Sequence, residues 1–161
     1  MPISDYTPSL QEVGSLIRSR TTDKGGNEIG SFNSDTQPNA TQVNENIQDV
    51  VQELYSVFGA DIPDSPNTDD PDVLRRSALR CACYGAAALV ELSHFPEQVA
   101  AGRSPYKAYD ERYQQAMKRI SKAISEIEAG GTPGNTSDSV TALYDGFPVD
   151  EGGMVGWGTR W

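Results

Sequence analysis

The sequence predicts a mainly α fold: a small four-helix bundle with a short β-hairpin between the first two helices and an extended C-terminal tail. Three observations predict it. Apolar residues recur at helical spacing in four segments. Each segment is bounded by cap residues, prolines or glycines. Beyond residue 129 the periodicity stops. A chain of 161 residues suits one domain with length left for an arm. The expected organisation is a helical domain over 1–129, with the hairpin at about 20–32 and an acidic linker at about 59–70, followed by a tail over 130–161.

The first helix is short, over 9–19, with Leu10, Val13, Leu16 and Ile17 on one face. Ser9 and Glu12 have the spacing of a capping box, in which each side chain satisfies the other's backbone N–H. The second helix spans 40–58, and Asn39 with Gln42 repeats that spacing. Its stripe of Val43, Ile47, Val50, Leu54 and Val57 steps by four and three residues, a helix face that no strand could present. Val51 and Phe58 widen the stripe, and Gly59 supplies the stop.

"GADIPDSPNTDDPD" then reads as a linker, with three prolines and five aspartates. Asp70 as cap and Pro71 at the first helical position open a third helix, which runs to Phe95 ahead of Pro96. Its stripe of Leu74, Ala78, Cys81, Gly85, Ala88 and Leu92 is small at the centre, so another helix can approach closely. It is the expected central helix. The fourth helix spans 105–129, capped by Ser104 and closed by Gly130-Gly131. Its stripe is Tyr106, Tyr109, Tyr113, Ala116, Ile120, Ile124 and Ile127. Ordinary core and rim is the favoured reading of the tyrosines. The alternative is a subunit interface at Tyr106, Tyr109 and Tyr113, because tyrosine suits surfaces that are apolar on one side and wet on the other.

Between the first two helices lies "RTTDKGGNEIGSFNSDTQP". Thr21, Thr22, Ile29 and Phe32 favour extended backbone, while Lys24-Gly25-Gly26-Asn27 is rich in residues that accept positive φ. A hairpin turning near Gly25-Gly26 is the simplest structure. An isolated hairpin is marginal in water, so the bundle or another chain must hold it.

Chemistry-bearing groups are sparse. Basic residues number 13 against 23 acidic, a net charge of −10 that repels phosphate backbones and disfavours nucleic-acid binding. Cys81 and Cys83, two apart on a helix, point about 200° away from each other and read as buried structural thiols in a reducing compartment. The lone His94, near a helix end, reads as a partner for the helix dipole. The aspartates of the linker lack the alternating frame of a calcium loop. Asp23-Lys24-Gly25-Gly26-Asn27-Glu28 lacks that frame too, and two carboxylates spoil it as a phosphate cradle. No metal or cofactor site, no enzyme motif, no secretory leader and no membrane-length apolar run is expected. An enzyme would need a site made of Asp, Glu and Tyr alone.

The segment from Gly130 is glycine-rich, yet it holds Leu143, Tyr144, Phe147, Met154 and both tryptophans, Trp157 and Trp161. Either it packs back on its own bundle or it docks in a groove on a partner, with the second favoured because aromatic anchors concentrate binding energy.

Residues 10–51 carry a resemblance. Arg18-x-Arg20-Thr21, Asp23, the glycine pair with Asn27-Glu28, Gly30-x-Phe32, Asp35-Thr36-x-Pro38 and the helix from Thr41 with Val43 and Ile47 resemble the N-terminal part of head-to-tail connector (adaptor) proteins of tailed bacteriophages, especially long-tailed phages of actinobacteria. The resemblance covers about a quarter of the chain, and its motif is built from structural residue types. It implies a small helical bundle, a ring (commonly a dodecamer) below the portal protein, and an extended DNA channel. The next connector, stopper or tail protein would seat on that ring. It further implies a virion location at the head–tail junction, host cytoplasm during assembly, no catalysis, no cofactor, no membrane, and DNA sliding past without specific binding. Under it, Phe147, Trp157, Arg160 and Trp161 are the expected portal anchors. Asp23, Gly25, Gly26, Glu28 and Phe32 are the expected contacts with a neighbouring subunit or ring. Two other readings stay open: another neck protein (stopper or tail completion), expected to be richer in β-structure, and a small acidic helical regulator of one protein partner.

Overall fold

A computed structural model of the chain describes residues 6–59, 61–66 and 70–130. Five helices follow in order: α1 (Leu10–Leu16), α2 (Ala40–Phe58), α3 (Val73–His94), α4 (Pro96–Ala100) and α5 (Tyr106–Glu128), with a 3-10 turn at Arg18–Arg20. The mainly helical bundle is as expected. Within it α3 is the axis, packed most extensively on α5, then on α2 and α1.

Both capping boxes form. Ser9 Oγ accepts the Glu12 N–H at 3.2 Å while the Ser9 N–H donates to Glu12 Oε2 at 2.7 Å. The Asn39 and Gln42 pair is reciprocal at 3.0 Å in each direction. These bonds satisfy N–H groups that the first helical turn leaves unpaired. The α2 stripe is buried from Val43 through Leu54, but it ends on Phe58 and leaves Val57 43% exposed. A drift of 3.6 against 3.5 residues per turn carries the fifth position off the seam. Gly59 closes α2 at φ +80, where a side chain would be strained.

The start of α3 departs from expectation. Asp70 pairs through its carboxylate with Arg76, so it does not cap, and the helix opens two residues later behind Asp72. Arg75 bridges Asp64 and Asp72, each at 2.6 Å, and the Ser65 N–H donates to Pro71 O at 2.8 Å. With Ile62 buried, the acidic segment is tied to α3 as well as linking to it. At the other end Pro96 does not merely end α3. It takes the first position of α4, a short helix absent from the sequence reading. The first helix likewise ends early, at Leu16, and the chain tightens into the 3-10 turn.

Close approach to α3 is confirmed at Gly85. A Cβ there would lie 2.7 Å from Val50 Cγ1 on α2 and 2.8 Å from the Tyr113 ring on α5. A hydrogen at this position lets both neighbours meet the axis. Cys81 and Cys83 are buried free thiols, and burial pushes each up to about 12 from an ordinary 9.0.

No strand forms among the described residues, and the expected hairpin at 20–32 is corrected to a loop closed by one isolated bridge, Thr22 to Glu28. The reason lies at both ends of the bridge. The Thr21 carbonyl accepts the Ile29 N–H at 2.8 Å, but the Thr21 N–H donates to Arg18 O at 3.0 Å and Thr21 takes ψ 41, so the 3-10 turn takes the donor that would extend the pairing. On the other side Gly30 turns away at φ +80.

Candidate functional site

The loop between α1 and α2 is built from within. Thr21, Phe32, Thr36 and Pro38 face inward. Thr21 Oγ1 donates to Arg18 O at 2.8 Å and accepts the Gly30 N–H at 3.2 Å. Thr36 Oγ1 donates to Pro38 O at 2.8 Å, beside a cis Gln37–Pro38 peptide. Asn33 Oδ1 accepts from the backbone of Asp35 and Thr36, and the Ala40 N–H donates to Asn33 O at 2.9 Å, fastening the loop to the start of α2. Phe32 is 3% exposed and belongs to the core, which corrects its expected place on a contact surface. An aromatic ring beside glycines in a loop is better buried than wetted.

What remains outside is the apex. The Gly26 N–H closes a turn on Asp23 O at 3.0 Å, with Gly26 at φ +82. Asp23 Oδ1 accepts the Asn27 N–H at 2.8 Å and Oδ2 accepts from the Asn27 side chain at 3.0 Å. These bonds hold the Asp23 carboxyl below its usual range. The structure therefore places Asp23, Gly25, Gly26 and Glu28 together on one small exposed turn, with Ile29 exposed beside them.

The base of the loop is clamped by a buried ion pair. Arg20 Nε and Nη2 donate to the two Glu91 oxygens at 2.7 and 2.8 Å, and Nη2 also donates to Gln98 Oε1 at 2.7 Å. Ser104 Oγ donates to Glu91 Oε2 at 2.8 Å. The guanidinium lies 3.9 Å from the Phe95 ring centre. Glu91 is fully buried, so it must carry a partner to remain charged. One cluster thus joins the 3-10 turn, α3, α4 and the entry to α5. Glu91 was missed in the sequence. Its signal was an acid placed among Ala87, Ala88 and Val90 on a helix buried nearly all round.

The three tyrosines of α5 part company. Tyr113 is core, 4% exposed, with its hydroxyl donating to Glu53 Oε2 at 2.8 Å. Burial first, and then Glu53, push its phenol well up. This agrees with the favoured reading of Tyr113 as core and removes it from the alternative, a subunit interface. Tyr109 is half-buried, stacks on Tyr84 with ring centres 6.3 Å apart, and donates to Leu16 O at 2.6 Å. Tyr106, half-buried, remains at the edge. Phe147, Trp157, Arg160 and Trp161 lie outside the described residues.

Among the described residues no group of three or more His, Cys, Asp or Glu side chains is placed to hold a metal ion. None of the described helices is long and apolar enough to cross a membrane. No protein-family model, curated protein or solved structure matches the chain.

Proposed function

We propose that the chain is a structural virion protein that forms a ring below the portal, joins phage head to tail and extends the DNA channel. The observation that carries this reading is the connector-like motif of residues 10–51. The fold divides its residues between two jobs: Arg20, Thr21, Phe32 and Pro38 build a frame, while Asp23 to Glu28 stand on the surface. A braced frame with an exposed turn suits contact between proteins better than chemistry on a small molecule. Outer faces of α2 to α5, with Tyr106 at one edge, would pack neighbouring subunits of a dodecamer. The turn of Asp23, Gly25, Gly26 and Glu28 would meet a neighbouring subunit or ring. Phe147, Trp157, Arg160 and Trp161 would anchor the tail on the portal. A net charge of −10 lets DNA slide through such a channel without being gripped.

Electron microscopy and native mass spectrometry of the chain mixed with portal test the proposal. Rings seated on portal are expected, and a stable monomer that ignores portal refutes it. Truncation after Gly131 should abolish portal binding, and replacing Gly25-Gly26 with Val-Val should impair tail joining.

A further inference from the structure

We propose that the cleft between Lys24, the 34–39 segment and the C-terminal end of α3 docks an acidic segment of a partner protein, holding its carboxylate with Lys24 and His94. The cleft measures about 450 Å³, and no carboxylate lines it. The cleft also takes the chain's only histidine. Neither the Lys24 nor the His94 side chain has an ion-pair or hydrogen-bond partner among the described residues. Asp35, between Ser34 and Thr36, does not line the cleft, and two other neighbouring charges are already committed. Asp23 is turned onto Asn27, and Arg20, stacked on the Phe95 ring that forms one wall, is bound to Glu91.

The remaining lining fits a peptide. Gln42 uses its Oε1 to accept the Asn39 N–H, which leaves its NH2 as a donor. Gln37 adds a second amide, and Pro38 and Phe95 supply apolar wall for the stem of a Glu or Asp side chain. A nucleic-acid backbone fits poorly, because its affinity comes from many phosphates neutralised in a row. One lysine and one histidine on an acidic surface suit a single carboxylate. The inference does not depend on ring formation, and the purified chain tests it directly.

The assay is a titration of the full chain with a capped hexaglutamate peptide at pH 7, followed by NMR through the ring protons of His94. With one histidine in the chain, these report on the cleft without assignment ambiguity. Saturable shifts are expected with hexaglutamate and none with hexaglutamine. Lys24→Gln, an exposed change that leaves the circular dichroism spectrum intact, should weaken binding by about five- to tenfold. In His94→Gln the Lys24 backbone amide takes over as reporter, and weakening is again expected. No shift with hexaglutamate overturns the proposal. So does an equal response to inorganic phosphate or to a thymidine dodecamer at matched charge, which would indicate general anion binding.

Discussion

Arg20→Ala removes the cation from the buried cluster while leaving its anion in place. Glu91, fully buried, would lose both guanidinium bonds and keep only the Ser104 hydroxyl at 2.8 Å. Gln98 would lose its donor, and the Phe95 ring would lose the cation 3.9 Å from its centre. Breaking a buried pair by deleting one partner costs about 3–5 kcal/mol, because the other charge is stranded in a poor solvent. At about 2–4 °C per kcal/mol for a chain of this size, a loss near 4 kcal/mol lowers Tm by roughly 8–16 °C. Replacing both partners with apolar groups, as Arg20→Met with Glu91→Leu, removes the stranded charge. The double variant should therefore recover much of the loss, and its effect should fall well short of the sum of the single changes. Urea denaturation followed by far-UV circular dichroism measures Arg20→Ala and the four chains of the cycle: wild type, Arg20→Met, Glu91→Leu and the double variant. A loss under about 1 kcal/mol for Arg20→Ala, the range of solvent-exposed pairs, refutes the reasoning. Additive single effects refute it equally.

Gly85→Ala adds helix propensity worth about 1 kcal/mol but drives a Cβ to 2.7 Å from Val50 and 2.8 Å from Tyr113. Both are held in the core, so overpacking of about 1–3 kcal/mol should win, and a lowered urea midpoint checks it. Cys81 and Cys83 have folded values near 12 against an ordinary 9.0, so the native state holds its protons longer than the unfolded chain. Their contribution is whole below about pH 9 and declines as pH rises from there toward 12. A Cys81→Ala, Cys83→Ala chain should show a shallower alkaline fall in stability, measured by urea midpoints across that range, and the wild-type thiols should react slowly with a disulfide reagent until the chain unfolds. Asn39→Ala deletes one half of a capping box and should cost about 1 kcal/mol, read in the same urea assay.

Local signals in this sequence were strong where one segment could satisfy itself. The apolar spacing of α2 and its cap and stop residues need nothing beyond their own helix, and α2 forms with the expected bounds. The small centre of α3 announced a close neighbour, since glycine at a buried seam has few other uses. The loop was harder to read. Thr21 has strong strand preference, but the 3-10 turn takes its N–H and leaves only its carbonyl for the Ile29 N–H, so one bridge is all the pairing that remains. Phe32 read as a contact residue, and Tyr113 admitted that alternative beside its favoured core reading, because their patterns fit a rim as well as a core.

The sequence by itself determined the four longer helical segments, where α2 begins and ends, and that α3 is the axis, but not the short α4. These follow from backbone preferences and apolar periodicity within a few turns of chain. Only the tertiary structure decided that Arg20 reaches Glu91, that Asp70 pairs with Arg76 in place of capping, and that Lys24 and His94 share a cleft. Arg20 and Glu91 lie 71 positions apart, and Lys24 and His94 are almost equally remote. No local rule scores a charge against a partner that distant. The partner is fixed only when packing brings the two together and removes the water that each would otherwise keep.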